Sequence, residues 1–293
     1  MRLSKRAERS IEFSFLFFAS VSIVSVVFIT VFVVIEGIPL FKSVNLIDFL
    51  FSADWRPTAD NPSFGILAFI VGSFLVTLLS LLFAVPFGLA VGIFMAEMAK
   101  GRWARLIRSG VELLAGIPSV IYGLFGFFFI APIIRNLSQS NTGLGVLTAG
   151  IVLAIMILPT IINITEVSIR AVPLELKEAS LALGATHWQT IVRSLVPAAR
   201  SGIIAGIVLG IGRAIGETMA VLMVAGNSPI MPKSLTSHTR TLTMNVVTDL
   251  KYAVVGSLHE TSLFSTGIVL FFFILIINLF VQTMLKKTIK KGS

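Results

Sequence analysis

The sequence predicts an all-α, polytopic membrane protein with six transmembrane helices, and three observations carry that expectation. Of 293 residues, 56% are hydrophobic and 13% charged, with a mean hydropathy of +0.97; a soluble domain is roughly 45–50% apolar and ~25% charged. Five charge-free stretches reach the ~20 residues that a helix needs to cross a bilayer, at 13–35, 64–96, 113–134, 143–165 and 261–285, and a sixth, 201–226, carries only Arg213 and Glu217. Lysine and arginine, finally, are gathered on one side of the predicted spans. The same numbers exclude a soluble globular domain, and 24 Phe exclude a disordered chain.

The first stretch follows a basic segment, residues 1–12, with Arg2, Lys5, Arg6 and Arg9. Its uncharged length exceeds a signal-peptide core and Glu36-Gly37-Ile38-Pro39 is no small-x-small cleavage site, so it is expected to be an uncleaved span. In the loop at 36–63, residues 41–50 have apolar side chains at helical spacing. Two readings fit: a helix on the membrane surface, or a short packed helix bridging the first two spans. The stretch 64–96 is longer than one span requires and reads as a single tilted helix bent near Pro86 and Gly88, with two re-entrant pieces as the alternative. Pro118 and Pro159 fall in the third and fourth stretches, where bends either serve gating or shape the bundle.

Orientation follows from the basic residues. The N-terminal group, Lys100, Arg102, Arg105 and Arg108, then Arg170, Lys177, Arg193 and Arg200, then Lys286, Lys287, Lys290 and Lys291 place sixteen of the 23 on one side. By the positive-inside rule that side is cytoplasmic, with both termini, and six spans agree with this. The membrane domain is thus expected over 13–285, with a basic tail at 286–293. The net charge of +9 records topology, so nucleic acid is not an expected partner.

The cytoplasmic segment 170–200 is long and mixed in charge. Pro173 suits the start of a helix, Gly184 the left-handed residue that closes it, Thr186 the cap of a second, and Pro197 the end of that second helix. A helical hairpin projecting from the membrane is the expected result. No cysteine occurs, and His187, His238 and His259 have no metal-ligand spacing, so no metal site is expected. There is no G-x-x-x-x-G-K-[ST] to cradle a nucleotide and no recognisable catalytic motif.

Within that hairpin, Glu178-Ala179-Ser180, with Gly184 six residues and Pro197 nineteen residues after the glutamate, resembles the EAA loop of permease subunits of ATP-binding-cassette importers. Ser180 replaces the second Ala of that pattern, Ser194 stands where an apolar residue is common, and Val196 replaces Leu. Residues 64–67, 112–123 and 212–221 are similar to the phosphate-specific importer permeases, and the last of these, followed by Gly226-Asn227, is closer to the PstC-type than to the PstA-type subunit. The resemblance covers most of the chain from residue 64. It implies a type I importer permease fold in a bacterial inner membrane, pairing with a second, PstA-like permease, and docking through the hairpin on two PstB-like ATPase subunits. It also implies delivery of phosphate by an extracytoplasmic PstS-like binding protein. On that reading the chain catalyses no bond chemistry and holds no cofactor of its own, ATP and Mg being bound by the ATPase partners.

Arg213 and Glu217 carry a separate argument. A charge near the bilayer centre costs roughly 2.5–3.5 kcal/mol on insertion scales, so intramembrane ions point to function. Four residues apart on one helix, the two are able to pair, and a self-neutralising pair is the plain structural reading. The functional reading places Arg213 on the translocation pathway, its planar fork matched to a tetrahedral oxyanion, with Glu217 orienting it and limiting how tightly the anion is held. The stretch also carries Gly202, Gly206, Gly210, Gly212 and Gly216 at G-x-x-x-G spacing, which lets backbones approach closely, either within this chain or across to a second permease. Three rivals remain at this point: a permease for sulfate or molybdate, a self-sufficient secondary transporter, and a membrane scaffold.

Overall fold

The computed structural model describes residues 5–138 and 141–290. Arg2 and Lys291 of the basic groups lie outside them. The elements run α1 (Lys5–Gly37), a 3-10 turn (Ile38–Lys42), α2 (Leu46–Phe51), a two-residue strand pair β1 (Trp55–Arg56) and β2 (Ser63–Phe64), then α3 (Leu67–Glu97), α4 (Gly101–Gly116) and α5 (Ser119–Phe125). A π turn (Gly126–Ile130) joins α5 to α6 (Ala131–Ser138), followed by α7 (Val146–Arg170), α8 (Leu174–Ala182) and α9 (His187–Thr190). A second π turn (Ile191–Leu195) leads through α10 (Val196–Ala198) into α11 (Arg200–Gly216), α12 (Met219–Val224), α13 (Leu242–Leu250) and α14 (Leu258–Lys290).

Five helical segments are long and apolar enough to cross a membrane on their own, and the sixth crossing is α11, set at 69° to the segment before it. The chain is thus a multi-pass membrane protein. Its fifth crossing is short, because the helix expected over 201–226 stops at Gly216 and restarts at Met219. The third is displaced as well. Residues 113–116 belong to α4, and Pro118, with no N–H to give and with Ile117 forced into the extended region (φ −71°, ψ 128°), breaks the chain before the span begins at Ser119. The second stretch is one continuous helix with Pro86 inside it, starting at Leu67 because Ser63 and Phe64 pair with Arg56 and Trp55.

The heart of the bundle is α3 against α7, with α11 laid on both. Small residues set that closeness. A Cβ on Gly88 would lie 2.7 Å from Ile161, one on Gly92 2.7 Å from Thr165, and one on Gly150 2.7 Å from Leu79. Around these notches Val76, Ala84, Leu153, Met156, Ile157 and Ile161 form the main buried cluster. α1 packs chiefly on α14 and otherwise presents its apolar side chains outward, as a lipid-facing span does.

The loop at 36–63 resolves the two readings left open for it. Leu40 and Phe49 are wholly buried, against Ile66, Phe69 and Leu263, so it is a packed cap rather than a helix lying on the surface. The exposed hairpin end is held by Asp54, which accepts from Arg56 (2.5 Å) and Ser63 (2.9 Å). The Arg56 hydrogen bond holds the Asp54 carboxyl below its usual range. Its contribution is therefore complete above pH ~4 and fades as acid protonates it.

Candidate functional site

The site is built on the break in the fifth crossing. Glu217 leaves the helix in an extended conformation (φ −72°, ψ 131°) and its carboxylate turns forward to accept from the Ala220 N–H of α12 at 3.0 Å. A carboxylate there meets the positive end of the short helix. The backbone oxygen of Glu217 accepts from the Thr243 hydroxyl (3.1 Å) of α13, which pins the break against the loop beyond it.

The expected i,i+4 pairing of Arg213 with Glu217 is therefore corrected. Among the described residues no carboxylate lies within ion-pair distance of Arg213, because the helix that would align the two ends at Gly216. The carboxylate serves as a helix cap instead. Arg213 is exposed along a cleft of about 520 Å³ between α11 and α14, lined also by Leu209, Gly212, Leu275 and Asn278. A guanidinium on such a wall, with its neighbour's charge engaged elsewhere, leaves a locally positive surface rich in hydrogen-bond donors.

The five glycines divide into two groups. A Cβ on Gly202 would collide with Ser168, one on Gly206 would stand 3.0 Å from Ile164, and one on Gly210 3.3 Å from Ile161, so these three seat α11 on α7 of the same chain. Gly212 and Gly216 have nothing within 4 Å and seat nothing here. Gly212 lies beside Arg213 in the wall of the cleft.

At the other end, the hairpin of residues 170–200 is punctuated as expected. Pro173 precedes α8, Gly184 is left-handed (φ +83°), and Thr186 and Gln189 form a reciprocal capping box on α9. Pro197 sits in α10, which ends one residue later. Glu178 and Ala179 lie on α8, none of whose side chains is buried, and Leu183 and Trp188 are strongly exposed. The two serine departures meet: Ser194 donates to Ser180 (3.3 Å), and Ser180 also lies 3.1 Å from the Thr190 hydroxyl, so they stitch the two arms together. Glu97, at the end of α3, accepts from Lys177 at 2.5 Å and lies 3.5 Å from His187, gripping both arms from the membrane side.

One cluster had no local signal in the sequence. Asp249 accepts from the Trp55 indole N–H (2.8 Å) and from Arg240 (2.9 Å), with His259 at 3.6 Å, and all four are buried. It ties the loop before α3 to α13 and α14 at the end remote from the hairpin. Breaking one partner of a buried pair strands the other, at about 3–5 kcal/mol. Asp249→Ala should lower the detergent-solubilised unfolding midpoint markedly, read from Trp fluorescence, whereas an unchanged midpoint would remove this cluster from the stability of the fold.

Comparison with known proteins agrees with this layout. Residues 88–291 match the profile of the binding-protein-dependent transport system inner membrane component. The probable ABC transporter permease protein YqgH of Bacillus subtilis (strain 168) is 43% identical over 266 residues, covering 89% of this chain and 86% of that one. The phosphate transport system permease protein PstC of Mesorhizobium japonicum is 38% identical over 242 residues, covering 76% and 73%. A solved bacterial alginate ABC transporter in complex with alginate pentasaccharide-bound periplasmic protein superimposes with a TM-score of 0.63 over 96% of this chain and 97% of its own, at 16% identity, a likeness of fold.

Proposed function

Since the chain belongs to the family of binding-protein-dependent transport system inner membrane components, we propose that it is one of two permease subunits through which an ATP-driven importer carries inorganic phosphate inward. The observation that carries the substrate class is Arg213, a permanent cation on the wall of a cleft, with the nearby carboxylate of Glu217 spent on capping α12. The PstC relative supports phosphate within that class. The basic end of the bundle is cytoplasmic by the distribution of Lys and Arg, which puts the hairpin inside the cell and the Asp249 cluster outside.

On this reading a second, PstA-like permease completes the pathway, and two PstB-like ATPase subunits bind ATP and Mg. One of them takes the exposed hairpin with Glu178, Ala179, Ser180 and Gly184. A PstS-like protein releases phosphate at the outer cap. Closure of the ATPase pair moves the hairpin, Glu97 passes the movement to α3, and the cleft changes the side to which it opens. Arg213 holds the anion in transit, and a single cation without a second clamp holds it loosely enough to leave. In vesicles containing the complete importer, uptake of labelled phosphate should require ATP and be suppressed by excess unlabelled phosphate, but not by a ~100-fold excess of sulfate. Suppression by sulfate or molybdate instead would assign the chain to another oxyanion, and uptake by this chain alone would make it a secondary transporter.

A further inference from the structure

The charge-bearing segment after the second span is the 16-residue helix α4. Its residues fall into three stripes of the same spacing. Ala104, Ile107, Val111 and Leu114 turn toward the bundle and are buried or half-buried, with Val111 packed against Met95 and Ile162. Trp103, Leu106, Gly110 and Leu113 form a second stripe that is apolar and open, with Trp103 70% and Leu113 72% exposed. Arg102, Arg105, Ser109 and Glu112 form the third, also open. Only residues 98–100 separate α4 from the span α3, and only Ile117 and Pro118 separate it from α5, so both of its ends sit at the membrane edge and the helix lies along that surface.

Its rotation about its own axis is fixed. Arg108 is paired with the buried carboxylate of Glu166 on α7, which also takes Arg170 at 2.9 Å, while Arg170 donates to the Met95 carbonyl at 2.7 Å. Among the described residues, Lys100, Arg102 and Arg105 have no acidic partner. A helix with one apolar stripe, an interfacial tryptophan and unpaired arginines beside it matches acyl chains below and negative headgroups around it.

We propose that α4 is a seat for anionic phospholipid on the basic face of the membrane, with Trp103, Leu106 and Leu113 in the acyl boundary and Lys100, Arg102 and Arg105 on the headgroup phosphates. This does not depend on which solute the importer carries. The test uses the complete importer in nanodiscs made with brominated phosphatidylglycerol or brominated phosphatidylcholine. The fluorescence difference between the wild type and Trp103→Phe isolates quenching of Trp103. Quenching should be stronger in phosphatidylglycerol mixtures by at least about fivefold, the preference that a single surface arginine gives at about 1 kcal/mol. It should fall to parity in Lys100→Gln/Arg102→Gln/Arg105→Gln, with the quenching in pure phosphatidylcholine unchanged. Equal quenching by both lipids in the wild type would overturn the proposal, and so would a preference that survives the triple substitution. Absence of quenching by either would show the stripe covered by a neighbouring subunit, and loss of the preference on adding inorganic phosphate would assign the arginines to the solute. Either result sinks the lipid seat.

Discussion

Replacing Arg213 with Gln is expected to suppress ATP-driven uptake strongly while the chain still enters the membrane and assembles. The structure separates these two outcomes. α11 is held by its other faces, where Gly202, Gly206 and Gly210 meet α7 and Ile203, Ile211, Ala214 and Ile215 are buried, so nothing in the packing rests on the guanidinium. Its proposed function rests on charge. Glutamine keeps a hydrogen-bond donor but loses the bidentate, charge-assisted contact, worth roughly 1.5–3 kcal/mol; spread over binding and passage, that is a fall of roughly 10- to 150-fold in rate per assembled complex. Arg213→Lys should restore part of it, because the charge returns without the fork. The measurement is labelled phosphate uptake divided by the amount of intact complex, and a Gln variant with normal uptake would remove Arg213 from the pathway.

The second large effect is expected from Gly184→Val. A Cβ at this position meets nothing within 4 Å, so no clash is introduced, but φ is +83°. A β-branched residue there is strained whatever the surroundings, at about 1–3 kcal/mol. The turn relaxes, the Thr186–Gln189 capping box loses its register with α8, and the exposed edge formed by Leu183 and Trp188 changes shape. We expect the ATPase subunit retained on purification in mild detergent to fall about tenfold, as 1.4 kcal/mol converts, with Gly184→Asn close to normal because asparagine tolerates the left-handed region. Equal retention across Asn, Ala and Val variants would dissociate this turn from docking.

The hairpin was legible because each of its signals is local: proline at a start, glycine at a stop, threonine at a cap. Each acts through a single residue's backbone geometry, and each stands where the spacing put it. The broken crossing was not, since reading Arg213 and Glu217 as one turn apart assumed an unbroken helix, and a periodicity argument fails as soon as the helix is interrupted. Gly216 followed by an acid and a β-branched Thr218 was the available sign. α4 was missed because charge-free stretches leave out any window with three arginines and a glutamate, although its three-stripe pattern was present. The Asp249 cluster joins residues 55, 240, 249 and 259, and no single-chain pattern links positions so far apart.

The notches at Gly88, Gly92 and Gly150 also limit how the protein is able to move. Helices packed so closely that one added Cβ would clash do not slide past one another, so α3 and α7, with α11 seated on them, must swing as one lever. The tilt has then to be absorbed at its ends, as at Ala199 before α11, where the chain already turns by 69° outside regular helix. Stiffening that corner is a way to slow the cycle without touching the solute's route.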